Sequence, residues 1–159
     1  MTCFTAHYDS PLGGMTMASD GQALTALWFN GTRSESYFVN ETTATKVLPV
    51  FDDTRRWLDF YFAGKKPDFT PPLAPKGTPF QQQVWEILLT IPYGKTLSYG
   101  DVARRISPTM SAQAIGGAVG RNPIGIIIPC HRVIGADGSL TGYGGGLERK
   151  RWMLEMEGL

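Results

Sequence analysis

The chain has 159 residues, 42% of them apolar and 18% charged, with a formal net charge of +1. This length fits one compact domain or two small lobes, and the composition excludes a large multidomain protein and a disordered, highly charged chain. The charge balance is well short of that of an overt nucleic-acid binder, although it does not exclude a local basic patch. No apolar run reaches the roughly 18 residues of a membrane-spanning helix, so we expect no membrane insertion.

The position of the first basic residue and the small number of cysteines and histidines favour a cytoplasmic protein without a bound metal. The first basic residue is Arg33, so the basic start of a secretory signal peptide is missing. Two cysteines are too few for a disulfide framework. A tetrahedral zinc site would need every available sulfur and imidazole ligand at once, namely Cys3, His7, Cys130 and His131.

The first part of the chain predicts a small antiparallel sheet, a helix and a connector. Turn residues flank short apolar segments at 15–18 and 23–29, which is the pattern of a hairpin. Apolar residues at mostly helical spacing predict a helix over 46–62. Five prolines from Lys65 to Pro79 predict an extended, fairly stiff connector, which we place at 67–76, so the N-terminal lobe comprises residues 1–66.

Residues 77–159 predict a more positive, mainly helical lobe, with 8 basic and 6 acidic side chains against 7 and 8 in residues 1–76. Thr78 can cap a first helix that has a proline in its first turn and a glutamine completing a capping box. A second helix is predicted from Ser98 and a third over 111–121, the pattern of a helix-turn-helix, although αα-corners that never touch DNA share it. Small residues cover the third helix, so either another helix or a nucleic-acid backbone can approach it closely.

The segment around Cys130 has the strongest chemical signal. An apolar run at 124–128 predicts a buried strand, which delivers Pro-Cys-His-Arg-Val at 129–133. A lone free cysteine is more often buried and inert, but a loop position beside His131 and Arg132 indicates a nucleophile. In an extended chain consecutive side chains point in opposite directions, so Cys130 and His131 should interact only through a water molecule or a sharp bend.

His131 needs an orienting partner, and a helix predicted over 147–157 offers Glu157. Glu157 lies near the helix end, where the macrodipole disfavours negative charge, so a functional contact would explain it; a solvated terminal acid is the alternative. If Glu157 orients His131, the pKa of the Cys130 thiol should lie below its usual value of about 8.5. The glycine-rich loop 142–146 lets the backbone approach a ligand, and it lacks the strand and the Lys-Ser/Thr of a P-loop.

These motifs, taken in order, resemble the O6-alkylguanine-DNA alkyltransferases, also called methylated-DNA-protein-cysteine methyltransferases. The resemblance is carried by residues 129–133, by Arg-Asn-Pro at 121–123 and by Thr-Gly-Tyr-Gly-Gly-Gly-Leu at 141–147. Further matches are Gly-Thr-Pro-Phe-Gln-Gln-Gln-Val-Trp at 77–85, Ile-Pro-Tyr-Gly at 91–94, Ser-Tyr at 98–99 and Pro-Leu-Gly at 11–13. The resemblance implies an α+β fold: an N-terminal antiparallel, ribonuclease H-like sheet with a helix, then a mainly helical, winged-helix-like domain that contains the helix-turn-helix.

The resemblance also implies a reaction, direct DNA repair with a single turnover and no cofactor. The alkyl group on guanine O6, and also on thymine O4, would pass irreversibly to Cys130. His131 would polarise the thiol through water and Glu157 would orient His131. Tyr99 would hydrogen-bond the guanine ring, and Asn122 would hold the turn before the active-site segment.

Substrate binding follows from the same resemblance. The protein would act as a monomer on double-stranded DNA, entering the minor groove and flipping the alkylated base into a pocket. That pocket would be lined by Val133, Tyr143 and Gly144. The DNA-contacting residues would be Ser98, Gln113, Ala114, Gly116, Gly117 and Arg121.

One position departs from the family pattern. Gln113 stands where the family usually has an arginine that fills the gap left by the flipped nucleotide. Three explanations fit the sequence equally: base extrusion is less favourable, Arg105 or Arg121 compensates, or the arginine was deliberately replaced.

Two other functions remain open from the residues alone. A lesion-binding module similar to the alkyltransferase-like proteins would recognise damaged bases without transfer, but those proteins have another residue in place of the cysteine. A Cys-His hydrolase would need a direct pair that adjacent residues in an extended chain do not form. Alkyl transfer to the protein, as against binding alone or multiple turnover, discriminates the three.

Overall fold

The computed structural model describes residues 2–32, 42–45 and 47–159. The chain forms two compact units, Met1–Lys76 and Gly77–Leu159. In the described part of the chain, no helix is long and apolar enough to cross a membrane.

The first unit is built on a four-stranded sheet with the order β3-β2-β1-β4. Its strands are β1 (Thr2–Ser10), β2 (Gly13–Ser19), β3 (Leu24–Phe29) and β4 (Thr42–Thr45). The first three pair antiparallel, as the turn pattern predicts, whereas β4 pairs parallel with β1. The sheet is therefore mixed at one edge, because a parallel neighbour reached through a long connection leaves no hairpin signal in the sequence.

A long helix, α1 (Pro49–Phe62), belongs to the same unit. Lys46, the predicted start, lies outside the described residues. The helix begins at Pro49 because proline has no N–H to lose in the first turn and disfavours helical backbone at the residue before it. Tyr8 donates a hydrogen bond to Asp59 at 2.7 Å, which attaches α1 to the face of β1 that bears Tyr8. Most of the other buried residues described in this unit are apolar, and two polar ones, Ser19 and Thr54, are also fully buried.

The proline-rich segment predicted as a connector lies alongside β3. The Leu24 N–H donates to the Pro72 carbonyl and the Ala74 N–H donates to the Leu24 carbonyl, both at 2.8 Å. Leu73 thereby forms a parallel bridge with Leu24. Residues 67–76 are thus part of the first unit, whose last residue is Lys76.

The second unit contains four helices and a short pair of strands. Their bounds are α2 (Pro79–Leu89), α3 (Tyr99–Ile106), α4 (Ala112–Gly120), α5 (Leu147–Met156), β5 (Leu97–Ser98) and β6 (Val133–Ile134). Thr78 and Ser98 begin α2 and α3 with capping boxes, which the sequence predicts for Thr78. Helices α3 and α4 form the helix-turn-helix, and β5 and β6 pair in parallel.

Residues 122–128 form a hydrogen-bonded turn, so the prediction of a buried strand at 124–128 is wrong. The Asn122 side chain donates from Nδ2 to the carbonyls of Ile124 and Ile128 at 3.3 and 2.8 Å, and its Oδ1 accepts from the Ile124 N–H at 3.0 Å. These bonds satisfy main-chain groups that would otherwise need a strand partner. Ile126 has a φ of 70°, in the left-handed region that a β-branched residue rarely adopts. The apolar pattern indicates burial here, whereas the backbone shape depends on Asn122.

Replacing Asn122 tests this dependence. Asn122→Ala should lower the free energy of unfolding by about 3 kcal/mol, because buried main-chain groups lose their partners. Urea denaturation measures the change, and Asn30→Ala, which removes an exposed asparagine, serves as the control and should change stability by less than about 0.5 kcal/mol. Equal stability of the two variants would show that the turn does not need the Asn122 side chain.

Candidate active site

Cys130 lies in a 3₁₀ turn of the second unit, Cys130–Arg132, directly after the Asn122 turn. The turn is held by hydrogen bonds from the Cys130 N–H to the Ile128 carbonyl at 2.8 Å and from the Arg132 N–H to the Pro129 carbonyl at 3.0 Å. The prediction of an extended chain here is wrong, because successive residues of a 3₁₀ turn are related by about 120° rather than 180°. The sharp bend that a Cys-His interaction would require is therefore present, and the Cys130 side chain is only 8% exposed.

The carboxylate of Glu157 lies at the centre of the site. Glu157 is the C-cap of α5, and its Oε2 hydrogen-bonds to His131 Nε2 at 2.7 Å. Its Oε1 accepts from Arg132 Nε at 2.8 Å and from the Gly94 N–H at 3.0 Å. Because both the Glu157 and the His131 side chains are 0% exposed, Glu157 is not the solvated terminal acid of the alternative interpretation.

His131 is an uncharged imidazole at neutral pH. Burial lowers its pKa, with Arg132 and Lys150 acting in the same direction, while the hydrogen bond and the charge of Glu157 oppose the shift. A carboxylate only accepts hydrogen bonds, so the proton on the neutral ring lies on Nε2, toward Glu157. The lone pair of Nδ1 is then the basic site of the ring.

The Cys130 thiol is protonated in the free protein. Burial raises its pKa, although a hydrogen bond from the Asn122 side chain and the positive charge of Lys150 partly offset the rise. The prediction that His131 and Glu157 bring this pKa below its usual value is therefore wrong for the free protein. A charged thiolate loses its hydration when it is buried, and this cost exceeds the effect of the neighbouring groups.

Lys150 is a buried residue that the sequence analysis missed. Its Nζ donates to the Val133 carbonyl at 2.6 Å and to the Thr141 carbonyl at 3.0 Å, and its relative exposure is 0%. A signal was available, since Lys150, Met153 and Glu157 recur at helical spacing on the buried side of α5. A lysine and a glutamate on an apolar stripe indicate paired or buried charges.

Two tyrosines, Tyr99 and Tyr143, lie close enough to Cys130 for its charge to affect their pKa values. Tyr99 donates to the Thr141 carbonyl at 3.1 Å, and a longer contact reaches the Gly142 carbonyl at 3.5 Å. Burial raises the pKa of Tyr99, the hydrogen bond to Thr141 opposes the rise, and a negative charge on Cys130 would add to it. The pKa of Tyr143 is also raised, first by burial and then by Cys130. Both phenols are therefore protonated and able to donate.

The residues predicted to line the base pocket differ in burial. Val133 is fully buried in β6, directly after the 3₁₀ turn. Gly144 is exposed in a loop where Gly142 has a φ of 50°, a conformation that suits glycine. Across the described ranges, no group of three or more His, Cys, Asp or Glu side chains is placed to hold a metal ion.

Most residues predicted to contact DNA lie on the exposed side of α4. The exposed ones in or just after this helix are Gln113, Ala114, Gly117 and Arg121. A Cβ on Gly117 would meet nothing within 4 Å, whereas a Cβ on half-buried Gly116 would lie 4.0 Å from the Tyr99 ring. Both distances leave space for a Cβ, so the neighbouring residues do not require a glycine at either position. Ser98 lies at the start of α3, where its Oγ accepts from the Asp101 N–H at 3.0 Å.

Two family models together match nearly the whole chain. The DNA binding domain of 6-O-methylguanine DNA methyltransferase matches residues 79–159, and the ribonuclease-like domain of the same family matches residues 4–75. A methylated-DNA--protein-cysteine methyltransferase of Mycobacterium tuberculosis is 49% identical over 154 residues, covering 95% of this chain and 92% of the relative. The Haemophilus influenzae protein of that name is 44% identical over 156 residues, covering 97% and 86%.

Solved structures agree with the sequence relatives. The crystal structure of M. tuberculosis O6-methylguanine methyltransferase matches with a TM-score of 0.86 at 46% identity, covering 98% of this chain and 92% of that one. M. tuberculosis OGT in complex with DNA matches with a TM-score of 0.84 at 45% identity, covering 99% and 92%. With both domains matched and the fold shared throughout, the chain belongs to the family of the O6-methylguanine-DNA methyltransferases, the methylated-DNA-protein-cysteine methyltransferases.

Proposed function

We propose that the protein repairs duplex DNA by transferring the alkyl group of O6-alkylguanine to the Cys130 thiol, once per molecule. The observation that supports this best is the buried hydrogen bond of 2.7 Å between Nε2 of His131, in the turn that contains Cys130, and Oε2 of Glu157, at the end of α5. Relatives over most of the chain are methylated-DNA-protein-cysteine methyltransferases, and a similar protein has been solved with DNA. The chain is thus a repair methyltransferase, and the lesion-binding alternative is not favoured.

In this reaction the sulfur of Cys130 attacks the saturated carbon of the alkyl group. The S–C bond forms as the C–O6 bond breaks, and guanine leaves with the electron pair. The thiol proton passes to His131 Nδ1, through a water molecule if the two atoms are not in direct contact, and a proton donated to the guanine ring neutralises the leaving group. Tyr99 is the proposed donor, since its hydroxyl is protonated and electrostatically coupled to Cys130. The products are an alkylated cysteine and unmodified guanine.

The resting protein keeps this nucleophile inactive. A protonated thiol that is 8% exposed reacts poorly, so the thiolate has to form once the base is in the pocket. The charge of Lys150 favours that step because it stabilises the thiolate without contacting solvent.

The remaining substrate features are part of the same proposal. The base, O6-alkylguanine or O4-alkylthymine, would enter a pocket formed by Val133, Tyr143 and Gly144 after flipping from the minor groove. Small residues, among them Ala114 and Gly117, form part of the exposed side of α4, which permits close approach of the DNA backbone there. The protein would act as a monomer in the cytoplasm.

Stoichiometry tests the proposed reaction directly. After incubation with duplex DNA containing O6-methylguanine, intact mass should increase by one methyl group per chain, and peptide mapping should place it on Cys130. Cys130→Ala should show no increase, whereas Cys3→Ala should behave as the parent. Release of repaired guanine beyond one equivalent of protein would falsify the single-turnover proposal.

The contribution of Lys150 is measurable without DNA. In a Cys3→Ala background, Lys150→Met should raise the pKa of Cys130 further, and each unit of increase slows iodoacetamide reaction near pH 7 by about tenfold. The rate is followed against pH, because the midpoint reports the pKa while the plateau reports access to the thiol. Arg151→Met removes a neighbouring exposed charge and should leave the midpoint unchanged. Superimposable midpoints for the Lys150 variant and its parent contradict the role.

Gln113 provides a test of base flipping. Gln113→Arg should speed repair of duplex DNA by about tenfold at low salt, since a side chain that fills the vacancy recovers part of the few kcal/mol of extrusion. The gain should fall as salt is added, because the new charge is attracted to phosphates. Reaction with the free alkylguanine base should hardly change.

Gln83→Arg, an exposed position on α2, is the control for added charge in the same unit. It should not accelerate duplex repair. If Gln113→Arg is no faster than the parent at low salt, Gln113 does not occupy the extrusion position.

A further inference from the structure

The Glu157 carboxylate connects two side chains whose charges affect each other. One oxygen bonds to His131 at 2.7 Å, and the other accepts from Arg132 Nε at 2.8 Å and from the Gly94 N–H at 3.0 Å. The His131 and Glu157 side chains are fully buried and that of Arg132 nearly so, and charges in the interior are weakly screened. The protonation state of His131 therefore depends on how completely the carboxylate charge is compensated.

An uncompensated carboxylate would work against the proposed reaction. A negative charge hydrogen-bonded to an imidazole stabilises the imidazolium, which raises the pKa of the histidine. An imidazolium has no lone pair with which to receive the thiol proton. In a buried His-Glu pair on its own, the imidazole would thus tend to be protonated near neutral pH, whereas the site needs an unprotonated imidazole.

Arg132 is placed to prevent this. Its guanidinium is always charged, and it is 8% exposed, so little water screens its charge. Besides Glu157, it donates from Nη1 to the Ile91 carbonyl at 2.9 Å, which fixes its position. Its carbon Cζ lies 5.7 Å from the centre of the Tyr93 ring. The guanidinium is therefore held against the carboxylate by contacts on both sides.

We propose that Arg132 is a positioning residue that neutralises the Glu157 carboxylate, so that His131 remains the uncharged base of the site. This inference rests on the proposed function, because the role of His131 as a base is part of it. With Arg132 and Glu157 both charged, the neutral imidazole leaves the three side chains with no net charge. Protonation of His131 would leave them with a buried positive charge, which is costly.

The other ionisable groups around His131 are consistent with this role. Lys150, from α5, acts in the same direction as Arg132, but its Nζ bonds to the carbonyls of Val133 and Thr141 rather than to the carboxylate. From the segment before α3, Tyr93 faces Glu157, and burial and that negative charge raise the pKa of its phenol, which stays neutral. Cys130, in the same turn, is a neutral thiol. Arg132, in contrast, forms a direct ion pair with Glu157 at 2.8 Å.

A titration of His131 tests the inference. The chain has only two histidines, so His7→Asn leaves a single imidazole to follow by NMR between about pH 4 and 8. In this background Arg132→Gln should raise the pKa of His131 by about one unit or more. Arg132→Lys, which keeps the charge, should keep it within a few tenths of a unit of the parent. An unchanged pKa in Arg132→Gln, or an equal rise in both variants, overturns the inference.

A second pair of variants covers the case in which Arg132→Gln fails to fold. Glu157→Gln is compared with the double variant Arg132→Gln/Glu157→Gln, in which neither partner leaves an unpaired buried charge. The pKa of His131 should be higher in the double variant than in Glu157→Gln, because only the guanidinium charge has been removed. Equal values overturn the inference.

These measurements also separate the inference from the proposed function. The titration needs no DNA and no alkyl transfer, so its outcome stands whatever the repair assay gives. If Cys130 is not alkylated while Arg132→Gln raises the pKa of His131, the proposed function fails and charge compensation holds. If Cys130 is alkylated while the pKa of His131 is the same with and without Arg132, the proposed function holds and charge compensation by Arg132 fails.

Discussion

The carboxylate of Glu157 joins three segments that are far apart in the chain. It accepts a hydrogen bond from the Gly94 N–H and bonds to two residues of the 3₁₀ turn at 130–132. The third segment is the end of α5, where Glu157 itself is the C-cap. A buried carboxylate is tolerated only where hydrogen bonds and an opposite charge replace its hydration. The orientation of His131 and the attachment of the end of α5 to the 3₁₀ turn therefore depend on this one group.

The local parts of the fold could be predicted, and the parts that depend on distant partners could not. Capping residues such as Thr78 act on neighbours three residues away, so the beginnings of helices are visible in the sequence. The parallel pairing of β4 with β1 has no such local signature. At 124–128 the apolar residues predict burial, but a strand and a turn held by Asn122 present the same composition.

The same division applies to the site. Cys130 and His131 are recognisable because they are adjacent and sit in a distinctive motif, and Glu157 because its charge is misplaced in its helix. The sequence indicates Arg132 only as a cation beside the cysteine and does not single out Lys150, since the contacts of both depend on their burial. The pKa of Cys130 was misjudged for the same reason: the sequence names the groups near the thiol but not the loss of water around it.

The proline-rich segment beside β3 has a consequence for how molecules meet one another. β3 is an outer strand of its sheet, and a strand in that position offers unpaired main-chain groups to any other chain. Here Leu24 already bonds to Pro72 and Ala74. Pro71, Pro72 and Pro75 have no N–H to offer to a further strand, so the segment that covers β3 is itself a poor template for pairing. The prolines that predict a connector in the sequence thus protect the β3 edge of the sheet, which limits edge-to-edge aggregation there.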